Sequence, residues 1–159
     1  WASSYLVEAR SVDPTLAARF ASLFYLGITG GRFVNGFIAE RFGDRKMIRI
    51  SVLIMLSGAV LILTSFISSF AALIGLVVIG LGCAPVYPSI IHATPDNFGR
   101  ENSQAVIGVQ MASAYAGSTF MPTVFGLIAR HIDIRLFPIY IIVFTALLLF
   151  CTEKLNKLK

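Results

Sequence analysis

The side chains with the strongest chemical character lie in the stretch GFIAERFGDRKMIR, Gly36 to Arg49. Six of its fourteen residues are charged, in a chain that is 57% hydrophobic and 13% charged. Glu40 ends a helical segment, where a carboxylate opposes the helix dipole and therefore requires a cation or the N-terminus of another helix. Gly36 lets a neighbouring helix approach, and Gly43 allows a tight turn. The chemistry indicated is ion pairing between helix ends.

Arg32 and Asn35 carry polar groups into an apolar helical segment. Arg32 precedes Glu40 by about 12 Å of helix, which places it inside the hydrocarbon zone of a bilayer. A central arginine costs roughly 2.5 to 3.5 kcal/mol on insertion scales, so it should face protein or a water-filled cavity. Asn35 shares this face, and the pair is expected to bind or gate a substrate; a snorkelling or structurally paired arginine is the alternative. Gly27, Gly31 and Asn35 recur every four residues, which predicts close helix packing.

Three further side chains are candidates for contact with a polar ligand. Pro85 and Pro88 bracket Tyr87. Each proline frees an upstream backbone carbonyl, which suits a polyhydroxylated ligand, although a kink needed only for packing would look the same. Gln110 and Tyr115 lie in a later segment that is unusually rich in polar groups, and amides and aromatic rings suit sugar binding. The serine and threonine hydroxyls of that segment are expected to bond between helices.

Other kinds of chemistry are not indicated. His92 and His131 each stand alone in the sequence, without a second His or Cys at ligand spacing, so no metal site and no cofactor are expected. His92 is read as a helix cap at the membrane interface, with a proton carrier as the alternative. Phosphate-binding loops, nucleophile elbows and paired catalytic groups are missing from the sequence, so no catalytic residue is expected and an enzyme is the least favoured class.

Long apolar segments must position these candidate residues. The mean hydropathy of +0.82 exceeds what a soluble domain can carry without large apolar patches. A bilayer core of about 30 Å requires about 20 helical residues, and the apolar runs have this length. The sequence therefore predicts an all-α membrane protein with about five transmembrane helices and the end of a sixth at residues 1–10. The expected spans are 16–39, 47–67, 70–94, 104–129 and 136–152.

The basic residues predict how these spans are oriented. If the loop 40–49 is cytoplasmic, the loop 95–103 and the tail after residue 152 share its side, and eight Lys and Arg residues lie there against four on the other side. The positive-inside rule favours this arrangement, with a cytoplasmic C-terminus. Because the net charge of +5 is divided among loops between apolar runs, membrane topology explains it better than nucleic-acid binding.

The spacing Gly36-x-x-x-Glu40-Arg41-x-Gly43-Asp44-Arg45 resembles the signature loop of the major facilitator superfamily, Gly-x-x-x-Asp-basic-x-Gly-basic-basic. That loop joins the second and third helix of each six-helix half. The sequence departs from it twice: Glu40 keeps the charge of the usual Asp, whereas Asp44 replaces a basic residue and weakens the match. Ordinary cytoplasmic charges are the alternative interpretation. The resemblance implies half of a twelve-helix fold.

The lysine-rich tail favours the C-terminal half, so residues 1–159 would need an N-terminal half as partner. The segments GLGCAPVYPSIIHATPDNFG and GVQMASAYAGSTFMPTVFGLIARHI are further similar to helices 10 and 11 of the fucose permease and related sugar:proton symporters. The likeness implies transport of a small polar solute by alternating access, with a sugar as the expected substrate and protons as a possible coupling ion. It also implies a location in the plasma or inner membrane, where membrane lipids would be further partners. Arg32, Asn35, Tyr87, Gln110 and Tyr115 would then contact the substrate.

The residues around the charged stretch, together with Asp96, would form a cytoplasmic gate. Two other functions are also compatible with the sequence. The gate residues are Gly36, Glu40, Arg41, Gly43, Arg45 and Asp96. Asp96 is expected to pair with Arg41 and Arg45, each pair contributing about 0.2 to 1 kcal/mol. A multidrug or organic-anion exporter of the same superfamily is the nearest alternative. A membrane scaffold or receptor subunit that transports nothing is the alternative from another class.

Overall fold

The computed structural model describes residues 1–64 and 69–157, without the side chains of residues 39, 40 and 69. Every element in these ranges is helical, which confirms the all-α prediction. A short 3₁₀ turn, Ile134–Leu136, separates the last two helices. In chain order the helices are α1 (Ala2–Arg10), α2 (Pro14–Phe42), α3 (Asp44–Leu63), α4 (Ser69–Cys83), α5 (Val86–His92), α6 (Thr94–Phe98), α7 (Arg100–His131) and α8 (Phe137–Lys157).

Three helical stretches of the described residues are long and apolar enough to cross a membrane. They are Asp44–Leu63, Phe70–His92 and Ile134–Lys157. The other two expected spans correspond to α2 and α7, whose 29 and 32 residues extend about 44 and 48 Å and so exceed the bilayer core. These two helices carry more polar side chains than the three stretches named above and are not among the helices that are apolar enough to cross a membrane. The division into five spans stays a prediction. Residues 65–67 of the predicted span 47–67 lie outside the described ranges.

Helix α4 packs closely between α2 and α3, and glycines make this possible. A Cβ added at Gly31 would lie 2.6 Å from the Cβ of Ala84, and one added at Gly58 would lie 2.8 Å from the carbonyl oxygen of Gly75. Both distances are too short for a real side chain, so the helix backbones touch at these points. Gly27 and Gly31 both face α4, as their four-residue spacing predicts.

The predicted proline break separates α4 from α5. Helix α4 ends at Cys83, Ala84 and Pro85 form a turn, and α5 begins at Val86. The backbone carbonyl of Pro85 accepts a bond of 3.0 Å from the Ser89 N–H, which starts the new helix. Because proline cannot donate a backbone hydrogen bond, the upstream helix ends here. The break leaves the Tyr87 side chain half exposed.

Helix α7 is held mainly at its two ends. Its one buried residue among those described, Phe125, contacts three aromatic rings with centroid distances of 5.9 Å to Trp1, 5.6 Å to Phe137 and 4.9 Å to Tyr140. Trp1 Nε1 also donates to the carbonyl oxygen of Pro122 at 2.8 Å. Between the ends, residues 111–116 and 118–124 are exposed. Tyr140 of α8 bonds to the carbonyl oxygen of Met121 at 3.0 Å, so the exposed surface without a hydrogen bond to another helix among the described residues is that of residues 111–116.

Candidate substrate-facing surface and charged helix ends

Helix α2 presents a polar surface on the side turned away from α4. Tyr25, Thr29 and Arg32 are exposed and follow the i, i+4, i+7 spacing of one helix face. We call these three residues, with Asn35 at their margin, the α2 polar face. Arg32 makes no hydrogen bond or ion pair with any described residue. The spacing of Tyr25, Thr29 and Arg32 is visible in the sequence, but only Arg32 was among the residues predicted to contact the substrate.

Asn35 contributes an unsatisfied acceptor to this face. Its side-chain oxygen is buried and has no hydrogen-bond partner among the described residues. A buried polar atom left unpaired costs about 1 to 3 kcal/mol, so such an atom in a native protein normally has a donor. Water, a solute or another protein segment can supply that donor. The geometry therefore favours Asn35 as a residue that lines a hydrated or ligand-bearing space.

The helix break lies beside the α2 polar face. Gly31 packs directly against Ala84 of the turn between α4 and α5. The guanidinium of Arg32 is also within electrostatic reach of Cys83, the last residue of α4. Tyr87 follows one helical turn later. The structure thus brings Arg32 and the break that precedes Tyr87 to the same region of the bundle.

Gln110 and Tyr115 lie on different surfaces of α7. The side-chain oxygen of Gln110 is 3.2 Å from the hydroxyl of Thr94, which also donates to the carbonyl of Ile90 at 2.9 Å. Gln110 therefore faces α6, near the charged helix ends. Tyr115 is 74% exposed, and its five-residue separation from Gln110 corresponds to about 140° around the helix. One surface cannot present both side chains to the same ligand.

The expected bonds between helices are wrong for three hydroxyls of α7. Ser118 and Thr119 both donate to the carbonyl oxygen of Tyr115, at 2.9 and 3.0 Å, and Thr123 donates to that of Thr119 at 3.3 Å. These are bonds within one helix. Serine and threonine in a helix can donate to the carbonyl three or four residues upstream, and these three hydroxyls do so.

The charged loop predicted at residues 40–49 is much shorter than expected: α2 continues to Phe42 and α3 begins at Asp44, so the connection is reduced to Gly43. Its φ of +71° is a conformation that only glycine adopts readily, so the tight turn predicted from the spacing is present. Gly36, Arg41 and Arg45 are exposed, and the side chain of Glu40 lies outside those described. Asp96 lies in the first turn of α6 and is exposed. The latch between Asp96 and the arginines stays a prediction.

Two ion pairs attach the start of α3 to other helix ends. Asp44 Oδ2 lies 2.7 Å from His92 Nδ1 at the end of α5. Arg49 bonds both carboxylate oxygens of Glu153 on α8, at 2.5 and 2.8 Å. From the sequence alone, Asp44 was interpreted as a departure from the loop pattern and His92 as a helix cap. Two features could have indicated that Asp44 pairs with His92. Asp44 occupies the first turn of a helix, where an acid is favourable, and both residues lie on the same predicted side of the membrane.

Removing either member of the Asp44–His92 pair should lower stability slightly and non-additively. An exposed pair contributes about 0.2 to 1 kcal/mol, so Asp44→Asn or His92→Gln should lower Tm by at most about 4 °C, and the double variant by no more. Thermal denaturation at about pH 6, near the usual titration range of histidine, measures this. The difference should become smaller at about 1 M salt, where the Debye length is about 3 Å, but it should not vanish because the two atoms lie only 2.7 Å apart. Glu101→Gln is the control for an acid in a first turn, and full additivity would contradict the pairing.

A large apolar cavity of about 630 Å³ lies between α1, α2, α4 and α8. It is open to the surface and rich in aromatic rings. No group of three or more His, Cys, Asp or Glu residues that could hold a metal ion occurs within residues 1–64 and 69–157. The aromatic lining residues are Trp1, Phe24, Tyr25, Phe137, Tyr140 and Phe144.

Comparison with known proteins agrees with this architecture. The sequence profile of the Major Facilitator Superfamily matches residues 1–155. The chain is 26% identical over 156 residues to Bypass of stop codon protein 6 of Saccharomyces cerevisiae, covering 92% of this chain and 31% of that protein. It is 28% identical over 130 residues to an uncharacterized MFS-type transporter of Yersinia pestis, covering 82% of this chain and 33% of the relative. No solved structure matches.

The chain belongs to the major facilitator superfamily. This is a family of membrane transporters and not of enzymes, and its members bind small-molecule substrates. Together with the three apolar helices, membership makes the chain part of an integral membrane protein. The chain spans about one third of the length of these relatives.

Proposed function

We propose that this chain is the C-terminal half of an alternating-access transporter for a small polar solute, with a sugar as the substrate class and a proton as the coupling ion. The observation that carries the proposal is the α2 polar face. Arg32 is exposed on it without a partner among the described residues, and the Asn35 oxygen is buried without one. The N–H groups of the exposed guanidinium can donate to the hydroxyl oxygens of a sugar, and the buried Asn35 oxygen beside it still requires a donor.

The packing supports a rocking motion of this half as a unit. Helices α2, α3 and α4 touch through their backbones at glycines, so they would move together. The polar surfaces of α2 and α7 face away from this packed group and are left for a second half to cover. In such transporters the substrate site lies near the midplane between two repeats, and one repeat rocks against the other.

Proton coupling would depend on residues outside this chain. All eight Asp and Glu residues are located at or near helix ends or in connections, and none lies in the middle of an apolar segment. Intramembrane carboxylates are the usual proton carriers of pumps and transporters. We therefore assign the coupling carboxylate to the N-terminal half that we propose.

A substrate panel tests the proposal directly. The complete transporter, reconstituted in liposomes, should take up at least one labelled sugar, and an inward proton gradient should increase the rate. Cationic dyes and organic anions should not be moved at a comparable rate. Uptake of no sugar, with or without the gradient, would contradict the assignment of the substrate class.

The 159-residue chain alone should not transport. Two halves are needed for an alternating-access pathway, and this chain leaves the polar faces of α2 and α7 uncovered. We expect purified chain in liposomes to give solute uptake at the level of empty liposomes, whereas co-expression with an N-terminal half should restore uptake. Uptake by the chain alone at the rate of the complete protein would show that it is not a half.

One observation favours a second function, export of apolar or aromatic compounds. The cavity of about 630 Å³ between α1, α2, α4 and α8 falls within the range of about 300 to 1,000 Å³ that is typical of sites for drug-sized ligands. Its walls are aromatic and aliphatic, which suits a hydrophobic cation better than a sugar. Energy-dependent efflux of a dye, together with failure of every sugar, would establish this alternative.

A further inference from the structure

A second, smaller cavity lies at the end of the bundle that carries the charged loop. It has a volume of about 220 Å³ and is enclosed by α3, α5, α6, α7 and α8, with an opening to the surface. Most of its wall is apolar, and Ile48, Ile90, Leu148 and Leu155 form the larger part of this wall. Two residues predicted to take part in transport lie in its lining: Gln110, which bonds to Thr94, and Arg45 of the predicted cytoplasmic gate.

The charges that line this cavity do not cancel. It contains two guanidinium groups, from Arg45 and Arg49, and one carboxylate, from Glu153. Arg49 binds both oxygens of Glu153, so that pair is neutral. Arg45 has no hydrogen bond or ion pair with any described residue. The lining therefore presents one uncompensated positive charge above an apolar wall.

Two amide side chains complete the polar part of the lining. Asn97 of α6 and Asn156 of α8 both reach the cavity, and neither makes a side-chain hydrogen bond with a described residue. Each amide offers two N–H donors. Together with the guanidinium of Arg45, they form a set of donors suited to an anion with several oxygen acceptors.

We propose that this cavity binds the head-group region of an anionic phospholipid, with the phosphodiester at Arg45 and the first carbons of the lipid against the apolar wall. Basic pockets between transmembrane helices are typical sites for such head groups. A free phosphate would leave the apolar wall in contact with water, whereas a lipid covers it. The volume is below that of sites for drug-sized ligands, so the cavity would hold only part of the lipid. The site lies at the end of the bundle that carries the predicted gate, and its lining includes no residue of the α2 polar face on which the proposed function rests.

Lipid binding by the complete transporter, purified in detergent, tests the proposal without any transport assay. Native mass spectrometry with added phosphatidylglycerol measures an apparent Kd. Arg45→Ala should weaken binding about fivefold, since one basic residue near a lipid surface contributes that much. Arg45→Lys should keep most of the affinity. Cys151→Phe adds bulk to the cavity wall without changing its charge and should also weaken binding.

Lys46→Ala is the matched control, because Lys46 is exposed on the same turn of α3 but lies outside the cavity lining. It should change the Kd less than twofold. Equal losses in Arg45→Ala and Lys46→Ala would overturn the proposal in favour of diffuse attraction. Phosphatidylcholine that binds as tightly as phosphatidylglycerol would overturn it too, and so would full displacement of the lipid by millimolar inorganic phosphate. Size-exclusion chromatography of each variant confirms that the bundle is folded.

Discussion

Replacing Arg32 by alanine should lower kcat/KM for solute uptake by about 10- to 100-fold in the complete transporter, with normal membrane insertion. Arg32 is exposed on the α2 polar face and has no partner among the described residues, so its donors are available to a solute. A hydrogen bond from a charged group contributes about 1.5 to 3 kcal/mol, and about 1.4 kcal/mol corresponds to a factor of ten. Uptake of the solute identified in the substrate panel measures the effect.

Two variants make this result specific. Arg32→Lys keeps the charge but not the planar set of five donors, so we expect its kcat/KM to lie between those of the wild type and Arg32→Ala. Arg19→Ala removes an exposed arginine near the start of the same helix and should change uptake less than twofold. If Arg32→Ala transports at the wild-type rate, or if Arg19→Ala loses as much, Arg32 is not part of the substrate site.

Adding a single methyl group at Gly58 should destabilise the bundle by about 1 to 3 kcal/mol. The new Cβ would lie 2.7 Å from Ile79 Cγ1, 2.8 Å from the carbonyl oxygen of Gly75 and 2.9 Å from the backbone nitrogen of Ile79. Two of these three atoms belong to the backbone of α4 and cannot rotate away. Helices α3 and α4 must separate, which removes dispersion contacts along their whole interface.

Gly108→Ala is the matched control, because nothing lies within 4 Å of the position where its Cβ would be. Alanine is favoured over glycine in a helix, so this variant should be neutral or more stable by up to about 1 kcal/mol. Thermal denaturation of the detergent-purified chain, followed by circular dichroism, compares the two. Equal Tm values for Gly58→Ala and Gly108→Ala would show that α3 and α4 are not in backbone contact.

Several features of the fold were predictable because their causes are local. Long apolar runs predicted membrane helices, and three of them have the required length and composition. Pro85 and Pro88 predicted a disturbance within the span 70–94, where α4 ends at Cys83, and Gly43 predicted the turn into α3. The four-residue spacing of Gly27 and Gly31 predicted the side on which α2 meets α4. Each of these depends on neighbouring residues or on a helix period.

The candidate site was predictable only as a set of residue types. Arg32 and Asn35 are close in sequence and share α2, and Gly31, the neighbour of Arg32, packs against Ala84 of the helix break. Gln110 and Tyr115 were grouped because both suit sugars, but the rotation of α7 turns Gln110 toward Thr94 and leaves Tyr115 exposed elsewhere. The spacing of the two residues fixes the angle between their side chains, but the orientation of α7 about its own axis depends on which neighbours it packs against.

The sequence by itself determined that this is a helical membrane protein with charged helix ends, because hydropathy, proline, glycine and charge act locally. Only the tertiary structure decided which charges meet. Asp44 and His92 are 48 residues apart, and Arg49 and Glu153 are 104 apart. Such partners depend on the register and rotation of packed helices, in which a shift of one residue turns a side chain by about 100°. The same packing leaves Arg45 without a partner beside an apolar cavity.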